Sequence, residues 1–270
     1  MKKYESIKHG TAEFPVGIHD TICENGFSLY PHIHNELEFL VIEEGKGTMY
    51  IEEEKFELKK GEGVFINSGE LHIGIKTDSK KARFFAVVFS PEVFGAGSSD
   101  AIVRKYVEPV LNKKIQIKRR LDKNVIELLE KIHESTGELK IKALLYEVWD
   151  ECVKGANENT REKSKGVEDI KTVMEYIREN CDKSISLDDI AKSVNMSKGY
   201  LCREFKRVVH MTPFEYLIKI RIDKGCELLK ETDLSIGEIA QLCGFNSFSY
   251  FTKVFGSMVG YSPSEYRQLQ

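Results

Sequence analysis

Residues 190–216 read IAKSVNMSKGYLCREFKRVVHMTPFEY and residues 239–266 read IAQLCGFNSFSYFTKVFGSMVGYSPSEY, one motif written twice with a one-residue difference in spacing. Each copy opens with Ile-Ala on a short helix and passes a turn. It then runs through a second helix with an aromatic in its last turn (Phe205, Phe255) and closes on Thr/Ser-Pro-x-Glu-Tyr. Self-similarity of this kind predicts a tandem of helix-turn-helix units in an all-α C-terminal domain.

The helix starts are explicit. Ser186-x-x-Asp189 and Ser235-x-x-Glu238 have the spacing of capping boxes, in which side chain and backbone satisfy each other's exposed donors. Thr212-Pro213-x-Glu215 and Ser262-Pro263-x-Glu265 supply an N-cap, a proline at the first helical position and an acid in the first turn. Phe214, Leu217, Ile218, Ile222, Cys226 and Leu229 recur at three-and-four spacing between the copies. They predict a connecting helix of roughly 19 residues, about 28 Å long. With the helix widths added, that length suits two units reading successive major grooves about 34 Å apart.

In copy one the second helix should span Ser197 to about Val209, with Leu201, Phe205 and Val208 inward. Lys198, Gly199, Cys202, Arg203, Lys206 and Arg207 are then the outward candidates for DNA. Arginine can bond guanine through two parallel hydrogen bonds, so Arg203 is the first choice for base readout. Lys206 and Arg207 are assigned to phosphates, which give affinity without sequence preference. Copy two should run from Ser247 to about Met258, with Tyr250, Phe251, Val254 and Phe255 as core candidates. Its polar outward positions are Ser249, Thr252 and Lys253; Phe248 could meet a thymine methyl, and Asn246 and Ser247 suit a phosphate at the helix start. Cys202 and Phe248 fit a filler role equally well. This second face is less basic, so weaker binding or greater use of apolar and shape contacts is expected.

The segment from about Ile170 to Tyr266 resembles the DNA-binding domain of the AraC/XylS family of transcription regulators, and GFNSFSYFTKVFGSMVGYSPSEYR carries the family's signature. The resemblance implies that Gly199, Cys202, Arg203 and Lys206, with Phe248, Ser249, Thr252 and Lys253, face bases or backbone. Two positions depart from the pattern. His210 stands where the first unit usually has glycine, and Gly256 where the second usually has a basic residue.

Upstream, residues from about Phe14 to Phe89 alternate short apolar runs (FLVI, GTMYI, GVFI, HIGI, FFAVVF) with glycines and turn residues, the rhythm of an all-β sandwich or barrel. Within it, Gly26-x5-His32-x-His34-x3-Glu38-x6-Gly45 is followed by Gly61-x5-Asn67-x-Gly69-x2-His72. Strand alternation would put His32 and His34 on one face with Glu38 in the same parity, and His72 could approach from a neighbouring strand. Three imidazoles and a carboxylate are candidate ligands for zinc, iron, manganese, nickel or copper. The same four residues would equally serve a polar pocket that holds an effector directly, or hydrogen-bond within the barrel. The spacing is similar to the two cupin motifs, with Asn67 and Lys76 replacing a proline and an asparagine that are not ligands. AraC/XylS members commonly carry such a cupin-like sensor. His9, His19, His133 and His210 read as surface or capping residues.

Between Ile102 and Val153 the pattern turns helical. One stripe holds Val125, Leu128, Leu129 and Ile132, another Ile141, Leu144, Leu145, Val148 and Trp149, with Gly137 between. These stripes suit a homodimer surface, or packing on the chain's own barrel. KGANENTREKSKG, Lys154 to Gly166, is polar, apolar-poor and flanked by glycines, hence a linker. The expected order is a cupin-like sensing domain (1–100), a helical dimerisation segment (101–153), a linker (154–166) and the DNA reader (167–270).

Charge alone would not point to DNA. Residues 1–100 carry 11 basic and 17 acidic side chains, 101–165 carry 15 and 11, and 166–270 carry 14 and 15. The useful asymmetry is local, with Lys198, Arg203, Lys206 and Arg207 on one helix. Six scattered cysteines without a CxxC pair, no signal-like start and no apolar run near eighteen residues suggest a cytoplasmic protein that does not enter a membrane. The expected function is an effector-controlled regulator that binds double-stranded DNA as a homodimer and could contact RNA polymerase. A metal-dependent cupin enzyme, a dioxygenase or isomerase, fused to a DNA-binding tail is the competing reading.

Overall fold

The computed structural model describes residues 9–24, 26–75, 81–95, 99–158 and 164–269. Two compact units divide the chain, 1–162 and 163–270. None of the helices described is long and apolar enough to cross a membrane.

The first unit contains eight strands in two antiparallel four-stranded sheets: β1 (Val16–Cys23), β2 (Leu29–His32), β3 (Leu37–Glu44), β4 (Lys46–Ile51), β5 (Glu54–Lys59), β6 (Gly63–Ile66), β7 (His72–Ile75) and β8 (Ala82–Phe89). One sheet has the order β1-β8-β3-β6 and the other β2-β7-β4-β5. Residues Leu37 to Ile42 are all buried, because both faces of their sheet are covered. Leu40 and Ile42 join Phe27, Met49, Ile51, Phe56, Leu58 and Phe84 between the sheets. Phe39 and Val41, one residue out of phase, join Phe65, Phe85, Val87 and Phe89 on the outer face.

Helices close that outer face. The chain passes through α1 (Glu108–Leu111) and β9 (Ile115–Gln116), then α2 (Lys123–His133) and α3 (Glu138–Lys154), the last starting directly after Gly137. Val125, Leu129, Ile132, Ile141, Leu144, Leu145, Val148 and Trp149 are buried in one cluster with the sheet's outer side chains. The two stripes expected as a dimer surface are therefore spent inside the unit: the alternative, packing on their own barrel, is what occurs. Segment 101–153 is also not wholly helical, since β9 pairs with β10 (Asn157–Glu158). The expected linker is consequently shorter at both ends: Lys154 closes α3, Asn157 and Glu158 form a strand, and Lys165 and Gly166 begin the next helix. Residues 159–163 of that linker, and Lys76, lie outside the described residues.

The second unit is helical: α4 (Lys165–Glu179), α5 (Leu187–Ser193), α6 (Lys198–Val209), α7 (Pro213–Glu231), α8 (Ile236–Leu242), α9 (Phe248–Val259) and α10 (Pro263–Gln268). The two expected capping boxes form at Ser186 and Ser235, and the two expected N-caps at Thr212 and Ser262 close full boxes as well. The connecting helix α7 has 19 residues. Its Leu217, Ile222 and Leu229 are buried, whereas Phe214, at the second helical position, is 49 % exposed. Arg221 holds the two halves in place: its guanidinium donates to the carbonyls of Cys181 (2.7 Å) and Lys183 (2.8 Å) after α4 and lies 5.6 Å from the Phe245 ring in the turn of the second unit. Gly244 makes this contact feasible, because with φ of 82° an added Cβ would stand 2.5 Å from the Cys181 carbonyl oxygen.

Candidate functional site

His32 ends β2, His34 lies in the loop that follows, Glu38 is the second residue of β3 and His72 the first of β7. His32 and His34 thus do not share a strand face as alternation suggested. The β2–β7 register shifts between Leu29 and His32, and Pro31 takes up a place in this edge strand. The site instead joins both sheets, since His32 pairs in register with His72 while Glu38 comes from the opposite sheet. One ligand atom from each of the four residues can be chosen so that all lie within 4.8 Å of one another.

The imidazoles are oriented from behind. Nδ1 of His32 meets the Tyr30 carbonyl at 2.8 Å, that of His34 the Glu36 carbonyl at 3.2 Å and that of His72 the Glu70 carbonyl at 3.0 Å. Each backbone oxygen fixes Nδ1 as the donor and turns Nε2 toward the centre, the arrangement of metal-binding histidines. Nε2 of His34 is 3.0 Å from Glu38 Oε2. Nε2 of fully buried His72 is 3.3 Å from the same oxygen but makes no aligned hydrogen bond with any described residue. Burial opposes ionisation of Glu38, yet the His34 hydrogen bond and the electrostatic pull of the His34 and His72 imidazoles facing it outweigh this and hold the carboxyl well below the usual range. A buried nitrogen without a partner, beside a carboxylate and two more anchored imidazoles, fits a divalent transition metal.

The loop bearing His72 is clamped. Glu70 receives Arg119 in a two-pronged pair at 2.7 and 2.9 Å and also accepts from the Asn67 backbone N–H, while the Asn67 side chain donates to the Val110 carbonyl. His9 and His19 are not isolated surface residues, since they pair at 2.9 Å and the His9 ring lies 5.5 Å from that of His34. The sequence concealed this because it depends on the β1–β8–β3 register. His133 stacks on Phe85 at 4.4 Å and His210 ends α6, so neither belongs to the centre.

In the second unit, α6 buries Leu201, Phe205, Val208 and Val209 and exposes Lys198, Gly199, Arg203, Lys206 and Arg207, with Cys202 half-buried. The cations are not equivalent. Lys198 pairs with Asp188 at 2.9 Å and Arg207 with Glu204 at 3.0 Å, whereas the Arg203 guanidinium rests 5.3 Å from the centre of the exposed Tyr200 ring. Asn246 and Ser247 just before α9, and Phe248, Ser249 and Lys253 on it, are exposed, and Thr252 is half-buried, its hydroxyl donating to the Phe248 carbonyl. The Ser247 hydroxyl accepts from the Tyr250 N–H as helix cap. Tyr250 is 50 % exposed, contrary to its expected place in the core: Phe251 and Phe255 define the inward stripe, and Tyr250 stands one residue off it. Tyr200 and Tyr250 are therefore surface aromatics on the same helices as the candidate readers, and for Tyr250 periodicity alone did not separate this placement from core.

Residues 19–148 match the AraC-like ligand binding domain and residues 190–269 a helix-turn-helix domain. The chain belongs to the AraC family of transcription regulators. It is 28% identical over 98% of its length to the uncharacterized HTH-type transcriptional regulator YdeC of Bacillus subtilis, covering 96% of that protein. It is 24% identical over 94% of its length to the HTH-type transcriptional activator RhaR of Mannheimia succiniciproducens, covering 92% of it. The melibiose operon regulatory protein of Escherichia coli is 37% identical over 37% of this chain, a stretch that spans 33% of that relative. Among solved structures, the apo form of a lysine-to-alanine variant of ToxT from Vibrio cholerae shares the fold, with a TM-score of 0.50 at 16% identity over 97% of this chain and 98% of that one. This AraC-family chain is thus a DNA-binding transcription regulator with a ligand-binding domain, and its domains and relatives are those of regulators, not enzymes.

Proposed function

We propose that this regulator senses a small polyhydroxylated, sugar-like effector at the centre formed by His32, His34, Glu38 and His72, through a divalent transition metal held by these four residues. The observation that carries the reading is the convergence of three Nδ1-anchored imidazoles on Glu38 with His72 Nε2 left unbonded. A bound ion would supply a Lewis-acidic position for a hydroxyl or carboxylate oxygen of the effector. The occupant belongs at this end of the sandwich, because deeper between the sheets Phe27 lies against Gly47 and Gly74 and fills the interior. A sugar operon in the name of one relative agrees with the class, although that match covers the DNA-binding part alone.

On the DNA side, Arg203 is the base reader of copy one and Lys206 a phosphate contact; Asn246, Ser247, Ser249, Thr252 and Lys253 give copy two its polar contacts. Lys198 and Arg207 must exchange their carboxylate partners for phosphate. A homodimer would use the exposed side of α3, where Leu139 is 85 % exposed. Footprinting of the chain's own upstream region, with and without sugars and with and without added zinc or nickel, tests the whole reading. Arg203→Ala should abolish the footprint and leave a weak, salt-sensitive binding component. An undiminished footprint with this variant would remove Arg203 from the readers.

A further inference from the structure

The four-residue centre continues outward through two more histidines. On β1, Gly17 is in register with Val88, and Val88 with Glu38 on β3, so Gly17 lies in one row and on one face with the Glu38 carboxylate. His19, two residues on, shares that face. A Cβ at Gly17 would come within 2.7 Å of His19 Nε2, so the absent side chain is what admits the imidazole. His9 reaches the same place by a reversal at Gly10, whose φ of 76° lies in the left-handed region and whose added Cβ would strike the Val16 nitrogen at 2.4 Å. The Thr11 N–H closes this turn on the Phe14 carbonyl at 2.8 Å.

The result is an unbroken run of five imidazoles. Ring centres are 4.9 Å apart for His19 and His9, 5.5 Å for His9 and His34, 4.9 Å for His34 and His72, and 3.9 Å for His72 and His32. The two outer rings meet nitrogen to nitrogen, His9 Nδ1 to His19 Nε2, at 2.9 Å. That separation serves an N–H···N hydrogen bond. It also serves two ligands of one ion, since metal–nitrogen bonds of about 2.0–2.1 Å put adjacent nitrogens roughly 2.9–3.4 Å apart. Imidazole pairs suit zinc, nickel and copper.

We propose that His9 and His19 take a second transition-metal ion beside the one held by His32, His34, Glu38 and His72. The proposal rests on the reading of those four residues as a metal centre. With two ligands among the described residues against four at the inner centre, the outer ion binds more weakly and can take water or an oxygen of the effector. Loss of either outer histidine removes the outer ion alone.

The test uses the full, tag-free chain, stripped with a chelator and dialysed to equilibrium against zinc or nickel chloride, with bound metal counted by mass spectrometry. Wild type should bind two ions per chain, His9→Ala and His19→Ala one each, and His210→Ala two. His72→Ala should lower affinity for the tighter ion by at least tenfold. One ion in wild type, with His9→Ala and His19→Ala unchanged, overturns the outer site and leaves the inner centre standing. One ion whose affinity falls in these variants also overturns it and makes the outer pair positioning residues of the inner ion. No ion in wild type sinks the inner reading as well. If His19→Ala fails to fold, His9→Gln, which alters a residue outside the sheets, decides the matter by the same count.

Discussion

Arg119→Met should be among the most damaging single changes in the sensing unit, because it leaves Glu70 as a buried charge without its partner. The Glu70 and Arg119 side chains are 8% and 11% exposed and bonded twice, and Glu70 also holds the Asn67 N–H in the loop that leads to His72. Breaking a buried pair from one side costs about 3–5 kcal/mol. Glu70→Gln keeps an acceptor for Asn67 and leaves Arg119 within 3.2 Å of Glu54, so it should cost less, about 1–3 kcal/mol. In the double variant no unpartnered carboxylate remains, and the cycle should show a coupling of about 1–3 kcal/mol. Acid provides a second check on the sign. Burial opposes ionisation of Glu70, but the Arg119 bonds and charge outweigh it and hold the carboxyl below its ordinary 4.5. A depressed folded value means stabilisation that is complete above about 4.5 and is lost as pH falls through the folded value. Without Arg119, burial pushes the carboxyl up, so protonation relieves the variant and its deficit should shrink as pH falls from 7 toward 4. Urea unfolding followed by fluorescence reads this unit selectively, since Trp149 is the chain's one tryptophan and is buried in the cluster joining α2 and α3 to the sheet. An Arg119→Met stability within about 0.5 kcal/mol of wild type, or a deficit independent of pH, would refute the argument.

Gly74→Ala puts a Cβ 2.5 Å from the Phe27 ring and 2.7 Å from the Leu29 backbone nitrogen and should destabilise the same unit by about 1–3 kcal/mol in the same assay; an unchanged midpoint would mean that both Phe27 and β2 can move aside. His210 caps α6 with φ of 57°, where copy two has Gly260 at 86°, so His210→Gly should stabilise the DNA-binding unit by about 1 kcal/mol, and a lower calorimetric melting temperature would count against this. Gly256 lies inside α9 with its nearest obstacle at 3.9 Å. Gly256→Arg should therefore gain up to about 1 kcal/mol of helix stability and steepen the salt dependence of DNA binding by about one unit of slope; an unaltered slope would show that residue 256 does not face phosphate.

What the sequence made legible was local chemistry. A capping box is closed within four residues, so Ser186, Thr212, Ser235 and Ser262 could be read without knowing what packs on the helices. The three-and-four recurrence from Phe214 to Leu229 likewise made the length of α7 legible. The buried stripes on α2 and α3 were legible as apolar faces but not as to what covers them. Period alone cannot distinguish a partner subunit from the chain's own sheet. The run Leu37–Ile42 held the missing hint: a strand apolar at every position needs cover on both sides, and only α2, α3 and their neighbours were there to supply the outer one.

The histidine centre marks the limit more sharply. Its residues were legible from spacing, but its geometry depends on pairings between strands distant in sequence. Pro31 and the shifted register end β2 at His32, placing His34 in the next loop and leaving Glu38 to approach from the other sheet. The same cross-sheet logic conceals His19 and, through it, His9 beside His34, since they come together only once Gly17 and Glu38 are known to occupy one row. A glycine in a strand ordinarily weakens it, so its presence at position 17 is informative when something else occupies the vacated space. Here that occupant is an imidazole at 2.7 Å from where the Cβ would be. Gly17→Ala should consequently displace His19 without touching the four inner residues, lowering the count of bound ions from two to one while the inner affinity stays within about threefold of wild type. A variant that still binds two ions would show that β1 does not place His19 by the omission of this side chain.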